Sequence, residues 1–101
     1  MPLPTLAKLK AQCRIDENNS LEDELLLTYL MAAKKRAENY INRTIYENDV
    51  PNTDPDGVAL SADIELALLL AVDHFYENRE TITVPAGFKA LIEPYRYLNV
   101  G

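Results

Sequence analysis

The chain is short of nearly every residue from which chemical sites are built. Its 101 residues include one cysteine, Cys13, one histidine, His74, three glycines and no tryptophan. A lone thiol excludes an internal disulfide, and a lone imidazole with no thiolate or second imidazole one turn away cannot begin an ordinary zinc site. So few glycines leave no phosphate-cradling loop and no G-x-S-x-G elbow, which removes local support for kinase, hydrolase and metalloenzyme readings. Long hydrophobic runs are missing too. The most apolar stretch, Ile64 to Val72, is interrupted by Glu65 and falls well short of the roughly 20 residues a membrane helix needs. The first residues, MPLPTLAKLK, lack the continuous apolar stretch of a signal peptide, so an intracellular product with no membrane partner is expected. Positive charge is scarce. Ten basic against sixteen acidic residues give a formal net charge of −6, which argues against the phosphate-neutralising surface that dominates nucleic-acid affinity.

What remains is the composition of one globular domain, taken here as residues 1–101, with 48% hydrophobic and 26% charged residues. A chain of this size buries roughly 65% of its unfolded surface, enough for a modest core and few reserves, so assembly is a natural route to added stability. Periodicity predicts an all-α fold, a small helical bundle with two main helices at about 20–43 and 61–79 and short helices near each end. Near the start, Leu6, Leu9 and Cys13 recur at helical spacing, with Thr5 as cap and Lys8 and Lys10 facing outward. Arg14 to Asn19 is a polar turn. Ser20 followed by Leu21, Glu22 and Asp23 reads as the start of the first main helix, with acids in its positive first turn. Its stripe, Leu21, Leu25, Leu26, Tyr29, Leu30, Ala33, Ala37, Tyr40 and Ile41, is widened by Leu27 and Met31 beyond what one packing partner requires. A second contact, internal or from another subunit, is implied.

Val50 to Ala59 reads as a loop, after which Ser61 is expected to cap a central helix covered on most sides. Thr81 to Val84 is an extended connector. Phe88, Leu91 and Ile92 make a short helix that stops before Pro94, leaving Tyr95, Arg96, Tyr97 and Leu98 as an extended aromatic tail.

Three constellations invite chemistry. Asn52, Asp54, Asp56, Gly57 and Asp63 follow a calcium-loop spacing, but position 12 is Asp in place of the bidentate Glu, and Pro51 keeps a helix from running into the loop. A solvated loop is the better reading. His74, next to Asp73 and with Glu77 three residues on, reads as a partly buried helix residue. Cys13 has Arg14 beside it but neither base nor oxyanion site, so it reads as a small core hydrophobe. No catalytic residue, cofactor or metal is assigned, and no enzyme is expected. Arg79, in Glu77-Asn78-Arg79-Glu80, either finishes the second main helix and ties it to an acid elsewhere, or bridges to another subunit.

The order of these pieces is distinctive. A short L-x-x-L-K helix ends in Arg14-Ile15-Asp16. Asp23-Glu24-Leu25-Leu26 opens a helix that closes with Ala32-Ala33 and Glu38-Asn39-Tyr40. Ala67 to Val72 leads to His74-Phe75-Tyr76-Glu77-Asn78-Arg79-Glu80, and Val84-Pro85-Ala86-Gly87 leads to Leu91-Ile92-Glu93-Pro94-Tyr95-Arg96. From Leu3 to Tyr97 this resembles the head-to-tail connector (head completion, adaptor) proteins of long-tailed bacteriophages and prophages. Phe75 stands where that family more often has tryptophan, and Cys13 where it commonly has leucine; both stay apolar.

The resemblance implies a structural subunit with no catalytic residues. It implies a homo-oligomeric ring of about twelve copies beneath the capsid portal, closed by symmetry, which extends the DNA channel and docks a tail-side stopper or completion protein. The place implied is the virion neck, after assembly in the bacterial host cytoplasm, with DNA passing unbound by any specific contact. Candidate subunit or portal contacts are Leu27, Met31, Arg79, Tyr95, Arg96, Tyr97 and Leu98, chosen for excess apolar surface and aromatic or guanidinium anchors. The competing reading is a small helical regulatory or DNA-binding module of a mobile element, with Lys34 to Arg36 as its basic cluster.

Overall fold

The computed structural model describes residues 1–79 and 83–97. The described residues form helices α1 (Leu6–Gln12), α2 (Asp23–Ile41), α3 (Ala62–Glu77) and α4 (Ala86–Ile92), a 3-10 turn Glu93–Tyr95, and two-residue strands β1 (Ile45–Tyr46) and β2 (Val58–Ala59). The all-α bundle read from periodicity is the fold, with two main and two short helices. Helix α2 packs along α3, and α1 and α4 cover flanks of α3.

Thr5 caps α1 as expected, its Oγ1 accepting the Lys8 amide at 3.3 Å. The helix ends in a paired closure, Ile15 N to Lys10 O at 2.8 Å and Arg14 N to Ala11 O at 3.3 Å, that requires Arg14 to turn left-handed, at φ 59°. Lys10 does not face outward. It is buried at 7% exposure, its ammonium 2.9 Å from Asp23 and 3.2 Å from the Glu17 carbonyl, so it joins α1 to the start of α2.

The expected cap at Ser20 is also replaced. Asn19 Oδ1 takes the Leu21 amide at 3.1 Å and Ser20 O takes the Asp23 amide at 3.3 Å, so local side-chain bonding holds a turn where the helix was expected to begin. Helix α2 starts at Asp23 with Glu22 at its cap position and no side-chain cap bond. Leu21, placed in the buried stripe by periodicity, is 91% exposed. At the far end Asn42 takes φ 59°, the left-handed closure that asparagine tolerates well.

Ser61 does stand at the cap position of α3, but makes no cap bond to that helix. The helix ends at Glu77, two residues short of expectation, where the Asn78 amide and side chain both return to the His74 carbonyl at 2.9 and 3.1 Å. Small residues set the α2–α3 packing: Ala33 and Ala37 on one helix and Ala67 and Ala71 on the other are fully buried, letting the backbones approach closely. Leu26, Leu30, Ile41, Ile64, Leu68, Val72 and Phe75 fill the space around them, while Leu9 from α1 and Phe88 and Ile92 from α4 close its sides.

The Val50 to Ala59 loop holds a surprise. Its end pairs in parallel with the segment after α2, Ile45 with Val58 and Tyr46 with Ala59, anchored when Glu38 accepts the Ile45 amide at 2.8 Å. A two-residue strand carries no alternation to read. Gly57 is required there because a Cβ would lie 2.5 Å from the Tyr46 ring. The C-terminal segment is not extended either: Glu93–Tyr95 is a 3-10 turn docked on the molecule. Leu98 and the first half of the Thr81 to Val84 connector, Thr81 and Ile82, lie outside the described residues.

Candidate interaction surface

None of the three constellations gathers into a chemical site. The calcium-like residues serve tyrosines: Asp54 accepts from the Tyr46 hydroxyl at 2.7 Å, and Asp63 from the Tyr95 hydroxyl at 3.3 Å. Among the described residues no group of three or more His, Cys, Asp or Glu side chains is placed to hold a metal. The His74 ring meets Thr83 Oγ1 at 3.0 Å and Asn78 Nδ2 at 3.5 Å, not Glu77. Cys13 is buried. Burial, with help from Asp73 and Glu77, pushes its thiol up to about 11, which suppresses the nucleophilic thiolate.

The candidate contact residues divide into three places. Leu27 and Met31 stand one turn apart on α2, 43% and 54% exposed. Arg79 lies at the end of α3, where its guanidinium pairs with Glu22 Oε2 and sits 4.9 Å over the Tyr76 ring; Tyr76 donates to the other Glu22 oxygen at 3.0 Å. That triad ties the start of α2 to the end of α3. The hydrogen bond to Glu22 raises the Tyr76 phenol above its ordinary value, and the same carboxylate raises Arg79.

Tyr95, Arg96 and Tyr97 gather at the opposite end and hold on to their own chain. Besides Asp63, the Tyr95 hydroxyl lies 3.0 Å from Ser61 Oγ, so the residue expected to cap α3 is shared with the tail. Tyr97 donates its amide to Ile41 O at 2.7 Å, accepts from Asn42 Nδ2 at 3.3 Å, and carries Arg43 5.8 Å over its ring. Arg96 lies 5.0 Å over Tyr40, whose hydroxyl donates to Glu93 and whose phenol that carboxylate raises.

Two surface features escaped sequence reasoning. Leu66, counted within the buried apolar run, is 45% exposed. A cleft of about 350 Å³ lies between α2 and the end of α3, lined by Thr28, Tyr29, Ala32, Arg36, Phe75 and Arg79. The Leu66 signal was present: it sits two residues from both Ile64 and Leu68, on the far side of a helix whose buried line runs through them. The cleft had none, because it exists only where two helices meet.

The described surface thus offers exposed apolar side chains on α2 and α3 and aromatic anchors at both ends. Residues 4–96 match the family model described as phage gp6-like head-tail connector protein, and the chain belongs to that family. No curated protein and no solved structure matched it. The family is a structural one, acting where phage head and tail join through contacts with other head and tail proteins. Among the described residues no helix is long and apolar enough to cross a membrane.

Proposed function

We propose that this connector subunit works as a homo-oligomeric ring of about twelve copies, seated beneath the portal, extending the DNA channel and presenting a platform to a tail-side stopper or completion protein. The observation that carries this reading is the exposure of Leu27 and Met31 on the longest helix after the chain's own helices have covered its other core-facing positions. Apolar side chains left open in the middle of a rigid helix stabilise a protein only when a partner removes them from water. Arg79, Tyr95, Arg96 and Tyr97 supply further anchors at the two ends, partly spent on the chain itself. Assembly takes place in the host cytoplasm and the ring resides in the virion neck. The net charge of −6 suits a channel through which DNA slides without sticking.

Light scattering across a concentration series, alone and with the portal protein, tests the ring. Defined large oligomers or capture by the portal are expected. A monomer that ignores the portal at every concentration would overturn the reading.

A further inference from the structure

Two stripes of unlike chemistry lie on different sides of the molecule. On α2, Leu27, Met31 and Lys35 recur every fourth residue and share one face, roughly 100° round from the buried line of Leu26, Leu30, Ala33, Ala37 and Ile41. Lys35 is exposed and has no ion pair among the described residues. Its neighbour Lys34 is already engaged with Glu38 at 3.6 Å. On α3, Asp63, Leu66, Leu70, Asp73 and Glu77 recur at spacings of three and four, marking the side away from Ile64 and Leu68. Leu66 is the exposed centre of that stripe and Leu70 is half-buried against Gly87. Helix α3 contains no lysine or arginine, so its outer stripe is apolar in the middle and acidic at both ends. Asp73 keeps one oxygen buried without a hydrogen-bond partner among the described residues.

We infer that the Leu27/Met31/Lys35 face of α2 in one copy docks on the Asp63/Leu66/Leu70 face of α3 in the next. This inference rests on the ring reading and specifies its contact. The orientation follows from symmetry. Within the chain α2 and α3 run antiparallel, the start of one joined to the end of the other through Glu22 and Arg79. Successive copies in a ring of about twelve are rotated by only about 30°, so α2 of one copy meets α3 of the next nearly antiparallel as well. That lay sets Met31 opposite Leu66, Leu27 opposite Leu70, and Lys35 beside Asp63. It also brings Glu24 toward the Glu77 end of α3, where Arg14 projects with its side chain 78% exposed. The apolar centres and the Lys35–Asp63 end are then matched, while at the other end Arg14, paired with Glu77 at 3.8 Å, is the cation that offsets Glu24. A twofold α2-to-α2 contact would stop at two copies and leave Leu66 open, whereas pairing of unlike faces repeats until it closes.

Site-directed cross-linking tests the pairing on the full chain, with wild type, carrying only the buried Cys13, as background. Met31→Cys and Leu66→Cys variants are mixed under mild oxidation, with portal protein present if assembly needs it, and light scattering on the same samples reports assembly separately. The mixture is expected to give a disulfide-linked dimer that neither variant forms alone, and the double variant a ladder of higher species. Assembly without the mixed product, or with Met31→Cys linking to itself as the main species, overturns the pairing and leaves the ring standing. Failure to assemble under any condition sinks the ring and the pairing together.

Discussion

Arg14 occupies backbone space that side chains with a Cβ enter at a cost. Its φ of 59° closes α1, and its ion pair with Glu77, at 3.8 Å, is exposed. Glycine adopts that conformation freely, so Arg14→Gly should stabilise the fold by about 0.5–1 kcal/mol, read as a higher melting temperature. If the variant melts lower, the Glu77 contact outweighs the backbone relief. Cys13 makes a prediction in pH. Its thiol rises from an ordinary 9.0 to about 11 in the folded protein, so the fold prefers the protonated form. The stability this contributes is complete below pH 9 and is lost as pH rises toward about 11. Wild type should therefore lose more thermal stability over that interval than Cys13→Ala, whose remaining tyrosine titrations are shared; parallel melting curves would refute it.

Helix ends are where the elements depart from their sequence signals, and each departure has a named competitor. The S-L-E-D pattern is a sound capping box in isolation, but Asn19 claims the Leu21 amide first. Ser61 is a sound cap for α3, but its hydroxyl faces that of Tyr95. Consequently Tyr95 holds the start of α3 as well as standing near the surface. The sequence alone suggests that alanine at Tyr95 and Tyr97 leaves the monomer folded and weakens only assembly. The geometry separates the two positions. Tyr95→Phe, which keeps the ring and deletes the hydroxyl, should cost about 1 kcal/mol and lower the melting temperature by roughly 4–8 °C. Tyr97 contributes its backbone amide and carbonyl, which Tyr97→Ala retains, so that variant should melt closer to wild type. Equal melting temperatures for Tyr95→Phe and wild type would show that water replaces Ser61 and Asp63 without loss.

At the scale of the whole molecule the separation of folding surface from contact surface is the testable feature. Leu27 and Met31 touch solvent and lie off the buried line of α2. Replacing both with Gln should shift stability by no more than about 0.5 kcal/mol while lowering the fraction assembled in light scattering. A large fall in melting temperature would mean that these side chains support the monomer core.

Helix number and type were legible in the sequence because they rest on local spacing: the 3.6-residue recurrence of Leu26, Leu30, Ala33 and Ala37, the Thr5 cap, and the stop before Pro94 hold whatever packs nearby. The excess width of the α2 stripe was legible for the same reason. Where Lys10 turns, which acid Arg79 finds, how the tail docks on Ile41 and Asn42, and the parallel pairing of Ile45 with Val58 were decided only in three dimensions. Each depends on groups far apart in the chain competing for the same donors and acceptors, and that competition has no periodicity to read. The exposure of Leu66 belongs between the two: its helix position was fixed by spacing, but only the placement of α1 and α4 on either flank of α3 left it 45% exposed.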